Sequence, residues 1–149
     1  MSIINELWKE IQLKINELEK AYGELEKQRY GIYWTNLDLA YEIIDNLFTK
    51  FDAKFLEELT NKKFLEPCVG MGSFIFAYLR KLFELGLTKR EVKKIIGNIY
   101  FAEIDERLLQ DFFSCYQLFL SKLWNISIRK EILLTNSCTG LIYNKSNLT

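Results

Sequence analysis

The residues most able to do chemistry lie in one segment, Glu66-Pro67-Cys68-Val69-Gly70-Met71-Gly72-Ser73-Phe74. The apolar pair Phe64-Leu65 leads into an acid, the chain's one proline, two glycines two positions apart and an apolar stretch. That order predicts a strand, a tight loop of bare backbone and a helix N-terminus, which together present N–H groups to a nucleotide-like ligand. A side chain at Gly70 or Gly72 would block the ligand's approach. Read by itself, the same loop is also an ordinary glycine turn between a strand and a helix.

The loop's chemistry selects among ligands. A dinucleotide fingerprint needs a third glycine where Ile75 stands, and a phosphate loop needs Gly-Lys-Ser/Thr where the chain reads Gly72-Ser73-Phe74. No basic residue lies in the loop, and Glu66 would repel a pyrophosphate. An acid at a strand end suits a cationic ligand with hydroxyls and an amine, and S-adenosylmethionine is one. The chain has no histidine, which excludes Ser-His and Cys-His hydrolases and most zinc sites. Cys68, Cys115 and Cys138 lie far apart without metal spacing. Methyl transfer from a sulfonium needs neither, because the leaving group is already activated and the protein mostly positions the reactants.

Periodicity predicts the elements that hold this loop. Ile4, Trp8, Ile11, Ile15, Leu18, Tyr22 and Leu25 alternate at spacings of four and three, a heptad seam on one long helix over 3–28. That helix either packs on its own domain or joins a partner subunit or a second copy. A helix over 36–50 is expected, opened by Thr35 and Asp38 in a capping-box-like arrangement and burying Leu37, Ala40, Ile43, Ile44, Leu47 and Phe48. A short helix over 53–60 precedes a strand over 63–66. Helices over 73–85 and 89–96 follow, the second opened by a Thr88–Glu91 capping box. A second strand, Ile99 to Glu103, leads to a long helix capped by Asp105 and running to about Leu123, and a third strand is expected over 131–135. Strands alternating with helices imply an α/β fold with a parallel sheet and a ligand at the strands' carboxyl ends.

Two more segments join the loop, Gly31 to Ala40 (GIYWTNLDLA) and Asn98 to Leu108 (NIYFAEIDERL). In this order the three resemble the amino-terminal, cofactor-binding half of the adenine-specific DNA methyltransferases of restriction-modification systems. That family shows Gly-x-Tyr-x-Thr-Pro, then Glu-Pro-x-x-Gly-x-Gly-x-Phe, then an acidic strand end reading Glu-Ile-Asp. The resemblance covers roughly residues 30 to 140 of the chain. It implies a class I methyltransferase (Rossmann-like) parallel sheet with S-adenosylmethionine as cofactor. Tyr33 and Thr35 would close the methionine end, and Glu66 would face the amino group or the sulfonium. Pro67, Cys68, Gly70 and Gly72 would form the loop against the ligand, with Cys68 chosen for its small size. Glu103 would accept both ribose hydroxyls and Ile104 would lie on the adenine ring.

The chain departs from the family in three places. Asn36 replaces the proline after Thr35, where an asparagine can cap the following helix, and Asn136 stands where an aspartate would accept from the adenine amino group. An amide oxygen accepts the same bond without charge. The catalytic Asp/Asn-Pro-Pro-Tyr/Phe segment is missing, since Pro67 is the sole proline. The expectation is therefore a partial domain over 30–149, behind an N-terminal amphipathic helix over 1–29. It would bind cofactor but carry no catalytic residue, with DNA contacts made by missing or separate regions. The alternatives are a non-catalytic assembly subunit with a remnant fold, or a methyltransferase for RNA, protein or small molecules completed by another chain.

Composition is consistent with this. A chain of 149 residues, 49% hydrophobic and 15% aromatic, is able to bury a core. Twenty basic and 20 acidic residues cancel, which argues against a stand-alone DNA binder. Met1-Ser2-Ile3 opens directly into the amphipathic pattern, no apolar run approaches membrane-spanning length, and the cysteines suit a reduced cytoplasm.

Overall fold

The computed structural model describes residues 2–23, 27, 34–103 and 105–128. It is a mostly helical α/β arrangement around a small parallel sheet with a long N-terminal helix. In chain order the described elements are α1 (Ile3–Ala21), α2 (Leu37–Phe48), α3 (Ala53–Glu57), a 3-10 turn (Leu59–Asn61), β1 (Phe64–Glu66), α4 (Ser73–Glu84), α5 (Lys89–Ile96), β2 (Ile99–Phe101) and α6 (Glu106–Trp124). The strands pair in parallel, Phe64 with Ile99, Leu65 with Tyr100 and Glu66 with Phe101. Parallel pairing requires a long crossover, which α4 and α5 supply.

The core forms where apolar residues surround α4. Ile75, Phe76, Ala77, Tyr78, Leu79 and Leu82 are all buried, the pattern of a helix covered on every side. α2 packs along it, and α6 supplies Phe112, Tyr116, Phe119 and Leu120. Phe76 meets Phe112 and Phe119 with ring centroids 5.9 and 5.4 Å apart. Among the described residues no helix is long and apolar enough to cross a membrane.

Local signals set the helix ends, and some differ from expectation. Thr88 and Glu91 form the reciprocal capping box of α5. Asn36 caps α2, as its place after Thr35 allowed, and no Thr35–Asp38 capping box is needed: its side chain accepts from the N–H groups of Asp38 and Leu39 at 2.9 and 3.2 Å. Leu37, Ala40, Ile44 and Phe48 of α2 are buried, but Ile43 and Leu47 are exposed. Their spacing set them on the outer edge of the apolar stripe, beyond the reach of α4. α1 stops at Ala21, where Tyr22 turns to extended backbone, short of the expected Gln28. Its seam residues Ile4, Trp8, Ile11, Ile15 and Tyr22 are buried in the same core as α4 and α6, with α1 lying against α6. Leu25 and the expected strand over 131–135 fall outside the described residues. β2 ends at Phe101, so Glu103 stands two residues past the strand.

Candidate functional site

The segment between β1 and α4 lies at the carboxyl ends of both strands. The ladder continues beyond them: Ala102 N–H donates to Glu66 O at 3.0 Å, and Val69 N–H donates to Ala102 O at 2.9 Å. Gly72 N–H then closes a turn onto Val69 O at 2.7 Å. These bonds tie the start of the β1 loop to the β2 loop, so the glycines are held in place by non-local backbone.

The two glycines have different reasons to be glycine. Both have positive φ, +51° at Gly70 and +85° at Gly72, where L side chains are disfavoured. A Cβ on Gly72 would stand 2.4 Å from the Phe112 ring and 3.0 Å from Phe76. This gives Gly72 a packing reason for being glycine that the sequence did not show. What it admits is the side chain of α6, and packing alone explains it. A Cβ on Gly70 would meet only Trp34, at 3.4 and 3.6 Å. At Gly70 a side-chain carbon would thus rest in ordinary contact with the Trp34 ring, without the clash seen at Gly72.

Glu103 joins the two loops. One carboxylate oxygen accepts from Gly70 N–H and the other from Asp105 N–H, each at 2.9 Å. Ligand hydroxyls at Glu103 must compete with these donors. Asp105 caps α6, accepting from the N–H groups of Arg107 and Leu108 at 2.9 and 3.3 Å. It also accepts from the Arg107 guanidinium and from the Tyr22 hydroxyl, each at 3.3 Å. Burial alone would raise the Asp105 carboxyl, but the Arg107 and Leu108 hydrogen bonds outweigh it and hold the group below its ordinary value. Burial, and then the Asp105 charge, push Tyr22 up to about 12.

Glu66 is half-buried and its carboxyl is raised by that burial, with a partly offsetting hydrogen bond from Cys68 N–H at 3.1 Å. Pro67 and Cys68 are exposed at the loop's outer turn. Thr35 reaches the site through its backbone, its carbonyl accepting from Ser73 Oγ at 2.7 Å. The structure thus brings together Thr35, Glu66, Pro67, Cys68, Gly70, Gly72 and Glu103. Tyr33, Ile104 and Asn136 lie outside the described residues. Among the described residues no group of three or more His, Cys, Asp or Glu is placed to hold a metal ion.

Two residues at the site were missed in the sequence. Tyr22 looked like a seam position on α1. Trp34 precedes Thr35 and carries no role in the sequence reading. The Trp34 ring lies edge-on to Tyr22, with centroids 5.6 Å apart. Its indole N–H is buried and has no hydrogen-bond partner among the described residues. An orphaned buried donor costs about 1–3 kcal/mol. Trp34, Gly70, Glu103, Asp105 and Tyr22 therefore form a closed circuit of contacts that ties the end of α1 to both loops. Comparison with known families, characterised proteins and solved structures returns no match.

Proposed function

We propose that this chain is the S-adenosylmethionine-binding part of an adenine-specific DNA methyltransferase of the restriction-modification kind. In this proposal β1 and β2 are two strands of a class I methyltransferase (Rossmann-like) sheet. The observation that carries it is the meeting of the Gly70 loop and Glu103 at the carboxyl ends of two parallel strands, where open α/β sheets take their ligands. The residues fit such a ligand at two points: Gly70, where an added carbon meets no clash, and the indole N–H of Trp34, which has no partner among the described residues.

In this proposal Glu103 accepts the ribose hydroxyls and Glu66 faces the ammonium or sulfonium. The backbone of residues 67–70 lies along the ligand, while Thr35 and Tyr33 close the methionine end. Ile104 covers the adenine ring and Asn136 accepts from its amino group. The cofactor supplies an activated methyl group. The chain's own residues bind and orient it. The family's Pro-Pro segment, which holds a target base flipped from the duplex, is not among these 149 residues, because Pro67 is the only proline. Balanced charge also leaves little non-specific affinity for DNA.

One observation favours a second reading. Glu103 already holds the loop through Gly70, as it would in an assembly subunit whose remnant site is purely structural. Thermal unfolding with S-adenosylhomocysteine separates the two, since a ligand at 100 times its Kd stabilises by about 2.7 kcal/mol and a structural remnant gains nothing. Tritiated-methyl transfer tests the rest of the proposal. The chain alone is expected to label no duplex DNA, and labelling is expected on adding a polypeptide with an Asn-Pro-Pro-Tyr segment. Labelling of DNA by the chain alone overturns the division of roles. Labelling of RNA or protein but not DNA assigns a different substrate.

A further inference from the structure

We propose that Trp34 is a ligand-binding residue whose indole N–H donates to the carboxylate of the amino-acid end of the ligand. The inference rests on the cofactor proposal above and adds a residue and a recognised group to it. Its starting point is the buried indole nitrogen, which has no acceptor among the described residues. Buried Trp N–H groups ordinarily find one.

The position of this donor indicates what it is for. The point a Gly70 side chain would occupy is 3.4 Å from Trp34 Cδ1 and 3.6 Å from Nε1. A ligand oxygen lodged in the space left by the glycine, a few tenths of an ångström closer, accepts a hydrogen bond from the indole. The amino-acid end of the ligand carries one cation and one anion. The cation has Glu66. The anion has no Lys or Arg in the segment from Glu66 to Phe74. Ser73 Oγ is already committed to the carbonyl of Thr35. The nearby Arg107 guanidinium bonds Asp105, and the indole is a neutral N–H donor facing Gly70, where a hydrogen bond to a charged acceptor is a strong one. Gly70 is held by Glu103 in this structure. Ribose hydroxyls that take that carboxylate oxygen release Gly70 and open the way to the indole.

The test compares two ligands that differ at the amino-acid end. S-adenosylhomocysteine has the carboxylate, and 5′-methylthioadenosine has the same nucleoside thioether without the amino acid. The Trp34→Phe variant is expected to bind S-adenosylhomocysteine about tenfold more weakly and 5′-methylthioadenosine within about twofold of wild type. Trp34→His, which keeps a ring N–H, is expected to recover part of the loss. Wild-type chain labelled with ¹⁵N gives a second readout that needs no folded variant. The Trp34 indole proton resonance is expected to move downfield with S-adenosylhomocysteine and not with 5′-methylthioadenosine. If wild type binds both ligands and the resonance stays in place, or the variant loses both equally, the inference is wrong and the cofactor proposal stands. If wild type binds neither, the cofactor proposal fails and this one with it.

Discussion

Gly70 and Gly72 are two residues apart in one loop, yet they face different parts of the molecule. Gly72 faces inward, where the ring of Phe112 fills the place of a side chain. Gly70 faces the Trp34 ring, which a side-chain carbon there would touch without clashing, and is held by a carboxylate from the loop after β2. A glycine pair after a strand thus contains two signals. One belongs to helix packing, and in the proposed site it is the other that bears on a ligand. The ligand argument is therefore narrower than the motif implies, resting on Gly70, Glu103 and Trp34.

The largest effect should come from the inward side. Gly72→Ala places a side chain at φ +85° and 2.4 Å from Phe112. The left-handed backbone costs about 1–2 kcal/mol and the overpacking about 1–3 kcal/mol. Chemical unfolding is expected to show a loss of about 2–5 kcal/mol. A neutral result would mean that α6 does not seat on the loop as described.

Glu103→Ala comes next and acts on the outward side. It leaves the N–H groups of Gly70 and Asp105 without their carboxylate, a stability loss of about 1–3 kcal/mol. Affinity for S-adenosylhomocysteine should fall by roughly 2–4 kcal/mol. Asp105→Ala removes a helix cap, costing about 1 kcal/mol of stability and little affinity. Calorimetry on both variants orders them, and an equal effect on binding would displace the ribose contact from Glu103.

Gly70→Ala sharpens the contrast with Gly72. Its strain is about 1–2 kcal/mol, and its nearest neighbours leave ordinary contact distance. The variant should fold with only that loss of stability, smaller than for Gly72→Ala, while losing ligand binding. Retained binding would mean the space over Gly70 is not used.

The smallest effects concern pH, with opposite signs in the two loops. Asp105 has a lowered carboxyl in the folded state. Its contribution is present above the ordinary aspartate value of about 3.9 and is lost as pH falls through the lower folded value. Glu66 has a raised carboxyl. Its contribution is present below the ordinary glutamate value of about 4.3 and is lost as pH rises through the higher folded value. Urea unfolding from about pH 3 to about pH 7 should show Asp105→Asn with a weaker acid loss and Glu66→Gln gaining on wild type toward neutrality.

The parts legible in the sequence were those with short-range causes. The Thr88–Glu91 capping box, the Asp105 cap and the β1–loop–α4 order each depend on residues within one turn or one loop. Asn36 and Thr35 both offered a capping oxygen to α2, and only the folded turn chooses between them. The expected strand end at Glu103 failed because the partner strand β1 ends at Glu66, opposite Phe101, and turns into the glycine loop. Trp34 and Tyr22 were unreadable as site residues because their roles come from contacts with Gly70 and Asp105 across the fold. The packing role of Gly72 was hidden for the same reason, since Phe112 reaches it from α6.

The most direct measurement is a calorimetric titration of the purified wild-type chain with S-adenosylhomocysteine up to millimolar concentration. The expected result is a saturable one-to-one isotherm that Gly70→Ala abolishes and the distant Thr88→Ala leaves unchanged. A flat titration with wild type would contradict the account, because the space over Gly70 would then hold no such ligand.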